Sequence, residues 1–284
     1  MTPQLQRQKE LIAGLRAQLT GSLLANAGEG SAELLRMAHS AGMGVESTHA
    51  WLYLKESILT ESQGMLNAIR MTAAVASHTP PTECVMIQGE SGIGKESFAR
   101  AFAAGGLPFV AVNCTSLPDY LVESELFGHK RGAFTGAIDD RVGLFQQAGK
   151  GVLFIDEIGD MPETMQPKLL RVLQDRRVRA VGSNTETVIE CRVVSATHRD
   201  PQKVLRNDLY WRLCTHEIHI PPLRDRMDDV RLYIQHHAPG LFTDNDIVNI
   251  ISGSLTGNYR ELQQIIARRR VKQVLDISGT TPAL

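Results

Sequence analysis

Nowhere in the 284 residues is there an apolar run long enough to cross a bilayer, and the first residues do not read as a secretory leader. A membrane-embedded role is set aside, and a cytoplasmic location is the expectation. Cysteine is scarce. Cys84, Cys114, Cys191 and Cys214 stand far apart, without the paired spacing that metal sites use. Three of them lie in apolar strand-like runs, where a small buried thiol is the plain reading. Net charge is nearly absent too: a formal charge of −1 gives no global attraction to nucleic acid or membrane. Any DNA contact must come from a local patch. The basic run Arg268-Arg269-Arg270 with Lys272 has no interleaved aromatics, and a solvated face or an interface is its simpler reading. What remains is a chain of ordinary globular composition, long enough for one large or two modest domains.

One stretch organises that chain. Gly89-Glu90-Ser91-Gly92-Ile93-Gly94-Lys95-Glu96 follows the apolar run Cys84-Val85-Met86-Ile87 and precedes a segment, Ser97 to Ala104, that reads as a helix. A strand, a glycine-rich turn and a helix opening are the context that makes G-x-x-x-x-G-K a phosphate-binding loop rather than a bare turn. The glycines let successive N–H groups point inward at a polyphosphate. The helix N-terminus adds partial positive charge, and Lys95 is expected to reach the β- and γ-phosphates. Glu96 stands where a Ser or Thr hydroxyl normally touches Mg²⁺; a carboxylate there acts only through the metal or its waters.

Residues 1–48 carry none of these motifs. Leu5 to Leu19 has helical spacing, Gly21 and Ala27-Gly28-Glu29-Gly30 break it, and Ser31 reads as the N-cap of a short helix, Ala32 to Ala38. Such a segment is a helical cap or regulatory remnant, or less simply an oligomerisation arm. From about Glu56 the pattern changes. A helix over Gln63 to Ala76 leads through Thr79-Pro80-Pro81 into the strand before the loop, and strands then alternate with helices, as in a parallel sheet with crossovers. Phe109 to Val112 ends in Asn113, Gly151 to Ile155 ends in Asp156-Glu157, and Cys191 to Ala196 ends in Thr197-His198. Ligands in open α/β sheets bind beyond the carboxyl ends of strands, so these endings are expected to converge on Lys95.

Asp156-Glu157 after an apolar strand complements a phosphate loop: the aspartate holds Mg²⁺ through its water shell and the glutamate polarises an attacking water. Charged strand ends are common, so the upstream loop is what gives the pair its meaning. Thr197 and His198 are placed to sense a γ-phosphate, although a solvated or packed histidine is an equal reading.

Glu123-Ser124-Glu125-Leu126-Phe127-Gly128-His129-Lys130-Arg131 runs into Gly132-Ala133-Phe134-Thr135-Gly136-Ala137. This hexapeptide resembles the GAFTGA signature of the AAA+ ATPase domain of sigma-54-dependent transcriptional activators, the bacterial enhancer-binding proteins. The resemblance continues through Asp156-Glu157-Ile158-Gly159-Asp160-Met161-Pro162, Leu209-Tyr210-Trp211-Arg212-Leu213, Pro221-Pro222-Leu223-Arg224-Asp225-Arg226 and Gly257-Asn258-Tyr259-Arg260-Glu261-Leu262. It covers roughly residues 57–270, and in that family a glutamate after the lysine is usual.

The resemblance implies an α/β fold: an AAA+ P-loop NTPase with a parallel sheet between helices, followed by a small helical lid. The expected divisions are a helical segment 1–56, the ATPase subdomain 57–222, the lid 223–275 and a tail 276–284. ATP and Mg²⁺ are the implied ligands. Asn113 is implied to be a switch holding Glu157 according to nucleotide state. Arg206 and Arg212 are implied to reach the nucleotide of a neighbouring subunit, and Arg260 to contact the phosphates of its own. Residues 132–137 are implied to touch sigma-54, with Phe134 and Thr135 at the tip, and the chain to form hexamers.

The sequence also departs from the family. No helix-turn-helix is expected before Leu284, so a related DNA-binding activator is a candidate partner. The segment before Arg206 and the span from Val230 to Phe242 are short, and Leu255-Thr256 replaces a common Trp-Pro. Three readings follow: an ATPase that remodels the sigma-54 RNA polymerase holoenzyme, a nucleotide-binding regulatory subunit of mixed rings with little hydrolysis, and a different AAA+ machine such as a loader, against which the hexapeptide argues.

Overall fold

The computed structural model describes residues 45–116 and 118–277; the helices expected at 5–19 and 32–38 lie outside them. Two helices open the described chain, α1 (Val45–Ser57) and α2 (Gln63–His78), and pack on one another. They are followed by β1 (Val85–Gln88), α3 (Lys95–Ala101), β2 (Phe109–Asn113), α4 (Asp119–Phe127), β3 (Gly128–His129), β4 (Arg141–Val142) and α5 (Leu144–Gln147). Next come β5 (Val152–Asp156), α6 (Gln166–Asp175), β6 (Arg177–Arg179), β7 (Glu186–Val188), β8 (Arg192–Thr197), α7 (Pro201–Val204), α8 (Asn207–Leu213) and β9 (His216–His219). Helices α9 (Met227–His237), α10 (Asp244–Ile251) and α11 (Asn258–Ile277) complete it.

The sheet has the order β2-β5-β8-β1-β9, every pairing parallel. Its inner strands are apolar on both faces, because helices cover both faces of a parallel sheet. Alternate residues separate two cores. Val85, Ile87, Val152, Phe154, Val194 and Ala196 face one that takes in α1, α2 and α3. Met86, Leu153, Ile155 and Val193 face another, closed by α4, α6 and α8. Edge strand β2 is only half-buried, yet its register sets Asn113 beside Asp156.

A division at residue 56 would cut through α1. Ala50 and Leu54 are fully buried in the first core, and the Ser47 hydroxyl donates to the Ala73 carbonyl of α2. The apolar side of α9 to α11 (Val230, Ile234, Ile247, Leu262, Ile266) belongs to that same core. All four cysteines are free thiols; burial pushes Cys84 and Cys191 up to about 11, and Cys114 and Cys214 up to about 12. They are poor nucleophiles, as expected of packing residues.

Candidate functional site

The loop after β1 turns on glycine. Gly92 and Gly94 have φ of +74° and +100°, values that side chains resist, and Gly94 delivers the chain into α3 two residues earlier than the sequence suggests. Lys95 is thereby the first residue of α3, and its side chain is only 7% exposed. Its ammonium donates to the carbonyls of Gly89 (3.0 Å) and Glu90 (3.3 Å) and lies 3.6 Å from Glu157 Oε1. The ends of β1 and β5 therefore meet at the lysine. Glu96 points elsewhere, into an exposed ion pair with Arg100 one turn on (2.6 Å).

Asp156 closes β5, and its Oδ1 accepts from the Glu157 N–H (3.0 Å). Burial, helped by the neighbouring Glu157 charge, pushes the Asp156 carboxyl above its ordinary value. Glu157 adopts the left-handed region (φ +49°), which costs a side-chain-bearing residue about 1–2 kcal/mol and turns its carboxylate back toward Lys95. Its Oε2 lies 2.7 Å from His198 Nδ1. A carboxylate only accepts, so this nitrogen carries the proton. Burial works to raise Glu157, but the His198 hydrogen bond and the Lys95 charge outweigh it and hold the carboxyl below its usual range.

Asn113 does not hold Glu157 here. Its Oδ1 accepts from the Thr115 N–H (2.9 Å) and hydroxyl (2.7 Å), a local turn that satisfies the amide within its own segment. Thr197 is buried, its hydroxyl accepting from the Arg199 N–H (3.0 Å) and its carbonyl from the Gly89 N–H (3.3 Å). It supports the loop, and His198 is the residue of that strand end that meets the acids. Arg260 reaches the loop from α11, donating to Ser91 Oγ (3.2 Å).

Lys95, Asp156, Glu157 and Arg260 line a cavity of about 490 Å³, bounded by Ser91 to Ser97, Asp156 and Glu157 on one side and by α9 and α11 on the other; Asn113, Thr197 and His198 lie outside its lining. The far wall went unseen in the sequence: Tyr233 and His237 of α9, stacked with ring centroids 4.0 Å apart, with Tyr259 4.9 Å from Tyr233. Ile58, Leu59 and Met65 add apolar surface. The spacing of Tyr233 and His237 by one helical turn was the available signal. Together the two ends suit a molecule with an aromatic ring and a polyphosphate.

Among the described residues no three His, Cys, Asp or Glu side chains cluster as a metal cage. Two adjacent carboxylates, one raised by burial and by its neighbour's charge, instead fit a cation shared with ligand phosphates, the mode Mg²⁺ favours.

The remaining candidates lie off the cavity. Arg206 is exposed at the start of α8, its guanidinium paired with Asp208 (2.9 Å). Arg212 turns inward and donates to the Leu173 carbonyl (2.8 Å), and its Nε is buried without a partner. Trp211 beside it is 67% exposed. Residues 132–137 form a compact turn: Gly132 N–H donates to the Ala137 carbonyl, and the Ala137 N–H to the Phe134 carbonyl. Gly132 and Gly136 have φ of +78° and +101°. Phe134, 37% exposed, meets His129 edge-on at 5.0 Å. Gly182, in the turn between β6 and β7, lies against Ala133, where a Cβ on the glycine would be 2.8 Å from that of the alanine.

The family described as "Sigma-54 interaction domain" matches residues 58–219. The transcriptional regulatory protein GlrR of Escherichia coli K12 is 44% identical over 231 residues, covering 75% of this chain and 51% of that protein. The regulatory protein AtoC of the same organism is 42% identical, covering 74% and 49%. The crystal structure of NtrX from Brucella abortus in complex with ATP superposes with a TM-score of 0.65 at 29% identity, over 74% of this chain and 51% of that one. The chain spans about half the length of the curated relatives it matches.

Proposed function

The chain belongs to the family of sigma-54-dependent transcriptional regulators, and on that premise we propose that it is an ATPase that remodels the sigma-54 RNA polymerase closed promoter complex. One observation carries the reading: a buried lysine of a glycine loop and an aspartate–glutamate pair line one cavity together, the lysine 3.6 Å from the glutamate. The ATP complex of the similar NtrX supports adenine nucleotide as the ligand.

In this reading the loop from Gly89 to Gly94 cradles the phosphates and Lys95 exchanges its loop carbonyls for the β- and γ-oxygens. Asp156 would hold Mg²⁺, which supplies charge neutralisation on the phosphates when bound. Glu157 orients and takes the proton of a water whose oxygen attacks the γ-phosphorus, releasing ADP and phosphate. Arg260 contacts the phosphates from the lid side. Asn113 exchanges its Thr115 contact for Glu157 in another nucleotide state. Arg206, exposed on α8, enters the site of a neighbouring subunit, which makes hydrolysis dependent on a ring, taken to be a hexamer. Phe134 and Thr135, on their glycine-bracketed turn, touch sigma-54. Residues 57–222 with α1 form the ATPase subdomain and 223–275 the lid.

A second reading, a regulatory subunit of mixed rings, draws on Arg212 being committed to the Leu173 carbonyl of its own subunit. ATPase rate against protein concentration, with and without sigma-54 holoenzyme, separates the two. A rate per chain that rises with concentration supports the first, and ATP binding with flat, negligible turnover supports the second.

A further inference from the structure

Where the phosphate loop meets the lid, three separate segments close on one polar node. At its centre is Asn258, fully buried and left-handed (φ +52°), the first residue of α11. Asparagine tolerates that backbone better than most residues. Its amide orientation is dictated by its neighbours: Oδ1 must accept the Leu223 N–H (2.8 Å), so Nδ2 faces the loop. There it donates to Glu90 Oε2 (3.0 Å) and to the Ser91 carbonyl (3.1 Å). Arg224 reaches the same carboxylate at 2.7 Å from Oε1. The Asn258 hydrogen bond, with that of Arg224, holds the Glu90 carboxyl below its usual range.

Two further contacts make the junction rigid. The Tyr259 N–H donates to the Gly92 carbonyl (3.1 Å), and a Cβ on Gly92 would lie 2.5 Å from the Gly257 carbonyl oxygen. Tyr259 in turn packs on Tyr233 at 4.9 Å and accepts from Arg226 (3.1 Å). An unbroken series of contacts therefore joins the back of the phosphate loop to the aromatic wall across the cavity.

We propose that Asn258, with Arg224 and Glu90, is a positioning residue that sets the aromatic lid wall at its working distance from the phosphate loop, so that a nucleoside triphosphate is gripped at both ends. The inference rests on the nucleotide reading above. The node touches the loop on the side of Glu90 and Ser91, not through Asp156 or Glu157, so its loss weakens capture and leaves chemistry at saturation intact.

The test uses the full chain and a fluorescent ATP analogue, with melting temperature recorded. Asn258→Asp keeps the acceptor for Leu223 and the turn but sets a carboxylate against Glu90. Affinity and KM are expected to worsen at least tenfold, with kcat at saturation within threefold. Adding Glu90→Gln supplies a donor to the new carboxylate and is expected to recover at least a third of the lost affinity, as loss of folding alone would not allow. Arg224→Gln, an exposed change, is expected to weaken binding three- to tenfold, and it decides the matter if Asn258→Asp does not fold. Wild-type affinity in folded Asn258→Asp or in Arg224→Gln overturns the proposal. Wild-type protein that retains no analogue overturns the nucleotide reading and this inference with it.

Discussion

His198 Nδ1 and Glu157 Oε2 are 2.7 Å apart, joining the ends of β8 and β5. With Lys95 on its other oxygen, Glu157 is held by two cationic or donor groups at once. That is how a carboxylate remains ionised while half-buried. Glu157→Gln removes the proton acceptor but retains the shape. Single-turnover hydrolysis should fall ~10²–10⁴-fold, the span of a general base. ATP affinity in the same titration should stay within a few fold, since phosphate capture depends on the loop.

Lys95→Ala should act on the other parameter. A charge-assisted hydrogen bond contributes about 1.5–3 kcal/mol, so nucleotide affinity is expected to drop by roughly ten- to a hundredfold. Equilibrium binding of an ATP analogue checks this, and unchanged affinity would remove the phosphate loop from the mechanism.

The two α8 arginines should separate. Arg206 is exposed and makes its ion pair with a residue of its own helix, so Arg206→Ala should leave the melting temperature alone and remove concentration-dependent turnover by ~10³-fold or more. Arg212→Ala leaves the Leu173 carbonyl without its donor, and should cost about 1–3 kcal/mol in denaturant unfolding. A stable, inactive Arg212→Ala would return that residue to the subunit interface.

Gly182→Ala tests how the exposed hexapeptide is supported. Its φ of +77° disfavours any side chain by about 1–2 kcal/mol, and the new methyl would collide with Ala133. ATPase activity should survive, whereas sigma-54-dependent promoter opening should be impaired, and Thr135→Ala is expected to have the same effect. Equal loss of both activities would tie the turn to the nucleotide site instead.

Glu90 gives a pH dependence with a definite sign. Its folded value lies below the ordinary glutamate value, so the stability it contributes is complete above that ordinary value. It disappears as the pH falls through the lower, folded value. Compared with wild type, Glu90→Gln should be less stable at neutral pH, with the gap closing under acid conditions. A gap that stays constant from neutral to strongly acid pH would exclude the ion pair as its source.

Much of the candidate site was legible because its parts are contiguous. An apolar run ending in Gly89 or in Asp156 announces both the strand and the chemistry at its tip, and the sheet order then brings these ends together. What escaped reading was pairwise geometry across the chain. His198 and Glu157 are 41 positions apart, and Asn258 and Glu90 are 168. Neither residue type advertises its partner. Asn113 illustrates the converse: its place at the strand end was correct, but a hydroxyl two residues along satisfies its amide. The resemblance implies that Arg212 reaches a neighbouring subunit's nucleotide, and only the helix rotation shows it turned toward Leu173.

Helix α1 bears on how shortened forms of the protein ought to be cut. A polypeptide begun at Ile58, where the recognised family segment starts, would remove Ala50 and Leu54 from the first core and leave a groove open to water where α1 packs on α2. Such a fragment should clump on expression. Starting ahead of Val45 keeps the groove filled, and dispersed, foldable material is the expected reward.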